Sequence, residues 1–111
     1  MSGNSRSLDR FRSEFPPQNA TRASEAALCA RIKAGDEDAI GELVLPHLRF
    51  AMSIAINYHR RYLSIPLEDF NSAAMAGMLR AARTFDADRG TRFCSYAVAW
   101  CRQACQVEVA R

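Results

Sequence analysis

Between Leu67 and Gln103 the chain reads LEDFNSAAMAGMLRAARTFDADRGTRFCSYAVAWCRQ, with apolar residues at every third or fourth position. That period belongs to an α-helix packed along one side, not to the alternation of a half-buried strand. Leu67, Phe70, Ala74, Gly77, Met78, Ala81 and Phe85 form one stripe, which predicts a helix from about Pro66 to Thr84. Ala73, Ala74, Ala76 and Gly77 keep one side thin and allow a second helix to approach closely. Asp86-Ala87-Asp88-Arg89-Gly90 reads as a turn, with Gly90 free to take a positive φ. A last helix is predicted from about Cys94 to Ala110.

At about 100° per residue, that last helix has two unlike faces. Cys94, Ala97, Val98, Cys101, Ala104 and Cys105 share one, and Tyr96, Trp100, Gln103 and Val107 lie opposite. With the small residues inward, Tyr96 and Trp100 are partly exposed beside Arg92, Phe93 and Arg102. Aromatics interleaved with arginine suit stacking on unpaired bases next to phosphates. The reverse orientation, aromatics inside and cysteines outside, satisfies the same periodicity.

The rest of the chain is helical by the same criteria. Ser24 is a candidate cap for a helix to about Ala34, with Glu25 in its first turn and Gly35 as its stop. Asp36 caps a second helix with Ala39, Ile40, Leu43 and Val44 on its apolar side. Pro46 marks a joint. A third helix, to about Tyr62, carries Leu48, Ala51, Met52, Ala55 and Tyr58, widened by Phe50, Ile54 and Ile56. The expected architecture is therefore all-α, a compact bundle of about five helices over residues 23–111. Residues 1–22, rich in Ser, Asn, Arg and Pro, read as a flexible tail with Phe11 and Phe15 isolated in it.

The net charge of +3 identifies no partner, but its distribution is suggestive. From Arg80 onward, Arg80, Arg83, Arg89, Arg92, Arg102 and Arg111 outnumber Asp86, Asp88 and Glu108, which suits an anionic partner. The cysteines form no CxxC or CxxH pair, and His47 and His59 have no partner at metal-ligand spacing. No metal or other cofactor is expected, and the cysteines and histidines are read as packing or surface residues. A Gly-rich phosphate loop, a nucleophile elbow and paired carboxylates are all missing, so nothing points to an enzyme. No apolar run approaches the roughly 20 residues of a membrane span, and no apolar leader opens the chain. A cytoplasmic protein without a membrane partner is the expectation.

The segments Leu67-Glu68-Asp69-Phe70, Met78-Leu79-Arg80-Ala81-Ala82 and Phe85 through Ala97, with Trp100-Cys101-Arg102-Gln103-Ala104, resemble region 2 of the bacterial sigma-70 family. Upstream, Ala30 to Ala39 resembles the end of region 1.2, and Leu48-Arg49 with Ser53-Ile54-Ala55 resembles region 2.1. The resemblance implies a domain that docks on a clamp coiled coil of core RNA polymerase and recognises and melts the minus-ten promoter element. It implies capture of an adenine flipped from the non-template strand by Phe93 and Tyr96, with Arg89, Arg92 and Ser95 beside them. Arg102 and Gln103 would contact the upstream edge of the element, near Trp100. Leu67, Glu68, Asp69, Ser72 and Arg80 would face the polymerase.

Some positions depart from the family pattern. Ala99 stands where housekeeping members have the first of two tryptophans, Ser72 and Ala73 where they have Gln and Glu, and His47 where they have Asn. The resemblance covers regions 1.2 and 2, with no match to regions 3 and 4 and no helix-turn-helix before Arg111. Half of a split sigma factor, completed by a second sigma subunit, is one expectation. A non-initiating decoy that binds the clamp or an anti-sigma factor is the other.

Overall fold

The computed structural model describes residues 20–111, and among these it contains five α-helices and no strand. The helices are α1 (Arg22–Lys33), α2 (Glu37–Val44), α3 (Leu48–Arg61), α4 (Leu67–Thr84) and α5 (Phe93–Ala110). Short 3-10 turns at Leu45–His47 and Ala87–Arg89 join α2 to α3 and lead into α5. The expected Phe11 and Phe15 lie outside the described residues.

Local side chains cap α1 and α2, and a proline precedes α3 and α4. α1 starts earlier than the sequence suggested. Thr21 is its cap, accepting from the Ser24 amide at 3.0 Å while the Ser24 hydroxyl accepts from the Thr21 amide at 2.9 Å. This reciprocal pair satisfies two donors at once, where Ser24 alone as a cap would satisfy one. Gly35, at φ 95°, ends α1 in a left-handed conformation. Asp36 then caps α2 through the Asp38 amide at 3.0 Å. Arg31 closes this α1–α2 corner, donating to Asp36 at 2.9 Å and to Glu42 at 2.8 and 3.1 Å. Pro46 sits in the 3-10 turn, and Pro66 precedes the first residue of α4.

α4 and α5 form the centre of the bundle. Phe70, Ala74, Met78 and Ala81 from α4 meet Phe93, Ala97, Cys101 and Cys105 from α5, all essentially inaccessible. At Gly77 the helices touch backbone to backbone: a Cβ there would lie 2.6 Å from the Trp100 carbonyl oxygen. α3 adds Ala51, Ile54, Ala55 and Tyr58 to the core. Its Met52 and Ile56, expected inward, are 49% and 38% exposed. The inward stripe is narrower than the run of apolar residues, so those two fall on its outer flank.

The run Glu37–Arg61 is long and apolar enough, by length and composition alone, to cross a membrane. It instead turns at Leu45–His47 and lays Leu43, Val44, Ile54 and Ala55 into the shared core, as core helices do.

The small-residue face of α5 is the buried one. Cys101 and Cys105 are inaccessible, and their thiols point at the Ala74 and Phe70 carbonyls at 3.3 and 3.7 Å. Burial pushes the Cys101 thiol up to about 12 and Cys105 up to about 11. Cys94, on the same side of the helix, is only half-buried.

Candidate nucleic-acid interface

The segment between α4 and α5 is held in one shape from several directions. Phe85 turns the chain into extended backbone as α4 ends, and its ring is buried. The Asp86 carboxylate caps the following 3-10 turn through the Asp88 amide at 3.0 Å. That bond, with Lys33 and Arg89 nearby, holds the Asp86 carboxyl below its ordinary range. Lys33 and Arg89 each lie 3.7 Å from it. Gly90 takes φ 84°, and its carbonyl accepts from the Arg22 guanidinium of α1 at 2.8 Å.

This segment and the first turn of α5 enclose an open concavity of about 460 Å³. Phe85, Thr84 and Tyr96 form its ring-and-hydroxyl wall, Lys33 and Arg89 bring positive charge to Asp86, and Arg83 lines it while paired with Glu37 at 3.2 Å. The Tyr96 hydroxyl is 2.8 Å from the Thr84 hydroxyl, which fixes the phenol while leaving the side chain half-buried. Its ring tilts against Phe85 at 5.7 Å and meets Trp100 edge-on at 6.3 Å. The volume falls within the roughly 300–1,000 Å³ of small-molecule sites. The half-buried Tyr96 ring beside exposed guanidinium groups can take a planar base and the phosphate attached to it.

The sequence-predicted residues separate into groups here. Arg89, Tyr96 and the exposed Ser95 lie at or near the concavity. Trp100 continues the aromatic surface, with Gln103 beside it and Arg102 exposed on the same helix.

Phe93 does not belong with them. It is fully inaccessible, packed edge-on against His47 and Phe85 at 5.3 Å each. The helix begins at Phe93 rather than Cys94, which places this ring four residues before Ala97 on the buried face. A base cannot reach it without unpacking the core.

Arg92 is likewise engaged inside the protein. It donates to Glu25 at 3.0 and 3.3 Å and to the Ala20 carbonyl at 2.8 Å. Arg80, expected on the polymerase side, is exposed and places its guanidinium 5.2 Å over the Trp100 ring. The other expected docking residues stay together. Glu68, Asp69 and Ser72 are exposed on the first turns of α4, and Leu67 is half-buried there. Asp69 and Ser72 share an open concavity of about 400 Å³ with Glu108 and Arg111 of α5.

Lys33 and Thr84 line the concavity without having been singled out by sequence. Glu25 was also missed in its structural role: read as a helix-dipole residue, it is only 4% exposed. An acid in a first helical turn carries no mark that distinguishes the two situations.

His47 is buried beside this cluster, and its Nδ1 has no hydrogen-bond partner among the described residues. Burial pushes the imidazole below its ordinary value of 6.5. The unfolded chain therefore binds a proton below that pH that the folded chain refuses, so stability rises with pH through this window. Denaturant titrations should show stability falling as the pH drops from 6.5, where the free imidazole begins to protonate. His47→Asn should flatten that slope. Asp36, Glu42 and Asp86 have depressed carboxyl values and lose their contribution only at more acidic pH.

The Sigma-70 region 2 family model matches residues 43–111. The chain belongs to the sigma-70 family. Over 82 residues it is 38% identical to the RNA polymerase sigma-C factor of Myxococcus xanthus, covering 74% of this chain and 27% of that protein. It is 38% identical over 84 residues to the sigma factor SigA of Listeria monocytogenes, covering 76% of this chain and 22% of the relative. With SigA1 of Synechococcus elongatus the identity is 32%, over 87% of this chain and 26% of the relative. The chain thus spans about a quarter of the length of these relatives. The matched stretch takes in α3 to α5 and the concavity's Tyr96 wall, while α1, with Glu25 and Lys33, lies upstream of it.

Proposed function

We propose that this sigma-70 region 2 domain acts in transcription initiation by docking on core RNA polymerase and capturing an unpaired base of the minus-ten element's non-template strand. The observation that carries this reading is the concavity that Tyr96, Arg89 and Lys33 line together. The base stacks on Tyr96, and Arg89 and Lys33 take the neighbouring phosphates. Trp100, with Arg80 over its ring, meets the upstream edge of the element, and Arg102 and Gln103 follow along α5. The exposed acids Glu68 and Asp69, with Ser72 and Leu67, form the docking face toward the clamp coiled coil. The setting is the compartment that holds the polymerase, the cytoplasm. Promoter elements outside the minus-ten region are left to other modules, on the same polypeptide or on a second sigma subunit.

Energetics favour the open strand. Flipping a base out of a duplex costs a few kcal/mol, and stacking it on an aromatic returns about 1–3 kcal/mol. One tyrosine roughly balances one flipped base, so the domain selects melted DNA and needs the polymerase to melt a promoter.

Pull-down of core RNA polymerase by the full chain, followed by titration with a minus-ten non-template oligonucleotide, tests both halves. Core binding with sequence-selective oligonucleotide binding is the expected result. Core binding without base selectivity would sink the DNA half and support a decoy role. Failure to bind core, with Ser72 and Ala73 on the docking helix, would sink the polymerase half and direct attention to an anti-sigma factor.

A further inference from the structure

Glu25 is an acid buried to 4% exposure, on α1, outside the stretch that matches region 2. A buried carboxylate is retained at the expense of desolvation, so what it holds is informative. Its Oε1 accepts from the Phe93 amide at 3.0 Å, one of the donors that the start of α5 leaves without an intrahelical partner. Arg92, the capping position of α5, offers no side-chain cap of its own. Glu25 therefore caps α5 from a different helix.

The same carboxylate grips Arg92 at Nε and Nη2. The Arg92 carbonyl in turn accepts from the Tyr96 amide at 3.2 Å. Arg22, on the same helix as Glu25, holds the Gly90 carbonyl at 2.8 Å. α1 thus clamps the chain on both sides of Thr91, and Thr91 lines the concavity that Tyr96 closes.

We propose that Glu25 is the positioning residue for base capture, fixing the start of α5 and the Tyr96 wall without touching DNA. This rests on the base-capture reading above. Arg92 acts in it as the other half of an internal clamp, not as a phosphate contact.

The test uses the full chain and a fluorescent minus-ten non-template oligonucleotide, intact or carrying an abasic site at the captured position. Wild type is expected to prefer the intact strand. Glu25→Gln keeps an acceptor for the Phe93 amide but loses the ion pair, and should reduce that preference about fivefold, within the range of one base stack. Glu25→Ala should remove the preference. Arg92→Lys, which keeps the charge but loses the two-nitrogen grip, should behave like Glu25→Gln. Affinity for the abasic strand should not change in any variant, and the salt dependence of binding should keep its slope because no phosphate contact is lost.

Retention of the full preference in Glu25→Gln and Arg92→Lys would overturn the proposal. So would equal losses on both strands that track the loss of helical signal, since that is what a purely structural residue gives. An absence of preference in wild type would instead show that the base-capture reading is wrong, and the proposal would fall with it.

Discussion

Gly77→Ala is expected to lower the melting temperature by about 10–20 °C, read by far-UV circular dichroism. The added Cβ would sit 2.6 Å from the Trp100 carbonyl oxygen, 2.9 Å from its carbonyl carbon and 3.0 Å from the Cys101 Cα. These are backbone atoms in the middle of α5, so no rotamer change relieves the contact. The two helices must separate. Overpacking of this kind costs about 1–3 kcal/mol, and here the upper half applies because neither partner can yield. For a domain of this size each kcal/mol shifts melting by about 4–8 °C. Gly41→Ala is the internal control. Gly41 lies within α2 with no neighbouring atom in reach of a Cβ, so alanine there should stabilise by about 0.5–1 kcal/mol through helix propensity. An unchanged melting temperature in Gly77→Ala would mean that α4 and α5 do not meet at this distance.

Tyr96→Ala is expected to weaken binding to a minus-ten non-template oligonucleotide by about 10- to 100-fold, the equivalent of one base–aromatic stack. Tyr96→Phe separates the ring from the hydroxyl. It keeps the face a base would stack on and loses the 2.8 Å bond to Thr84. That bond contributes about 1 kcal/mol of stability, so the Phe variant should melt slightly earlier yet bind within a few-fold of wild type. Tyr96 also packs on Phe85 and Trp100, so the comparison belongs well below the melting transition of the Ala variant. Fluorescence anisotropy at two salt concentrations reads both affinities. Equal affinity for wild type and Tyr96→Ala would remove Tyr96 from the interface, and the concavity would lose its proposed role.

These two predictions draw on different kinds of information. The bundle was legible because its punctuation is local. Asp36, Gly35, Pro66 and Gly90 mark helix ends through their own backbone preferences and side-chain reach, and each does so in the fold. The thin side of α4 was also legible, since a run of Ala and Gly at helical spacing admits only a close neighbour. Which residue makes the closest contact was not, because it depends on where α5 crosses.

The site divides along the same line. Helical spacing separated the cysteine side of α5 from the side carrying Tyr96 and Trp100, and the resemblance to region 2 attached a role to the second. The same spacing could not place Phe93. A helix starting one residue earlier turned it from a loop aromatic into a core one. It also could not reveal that Arg80 reaches Trp100, or that Arg92 is held by Glu25 across 67 positions of sequence.

Sequence alone therefore determined the helices, most of their ends, the two unlike faces of α5 and the family, because periodicity, capping and motif are properties of neighbouring residues. Tertiary structure alone decided which face of α5 is buried, which carboxylate each arginine meets, and that α1 holds the start of α5. Those outcomes depend on burial and on partners brought together by folding, and a buried acid and an exposed one are written with the same letter.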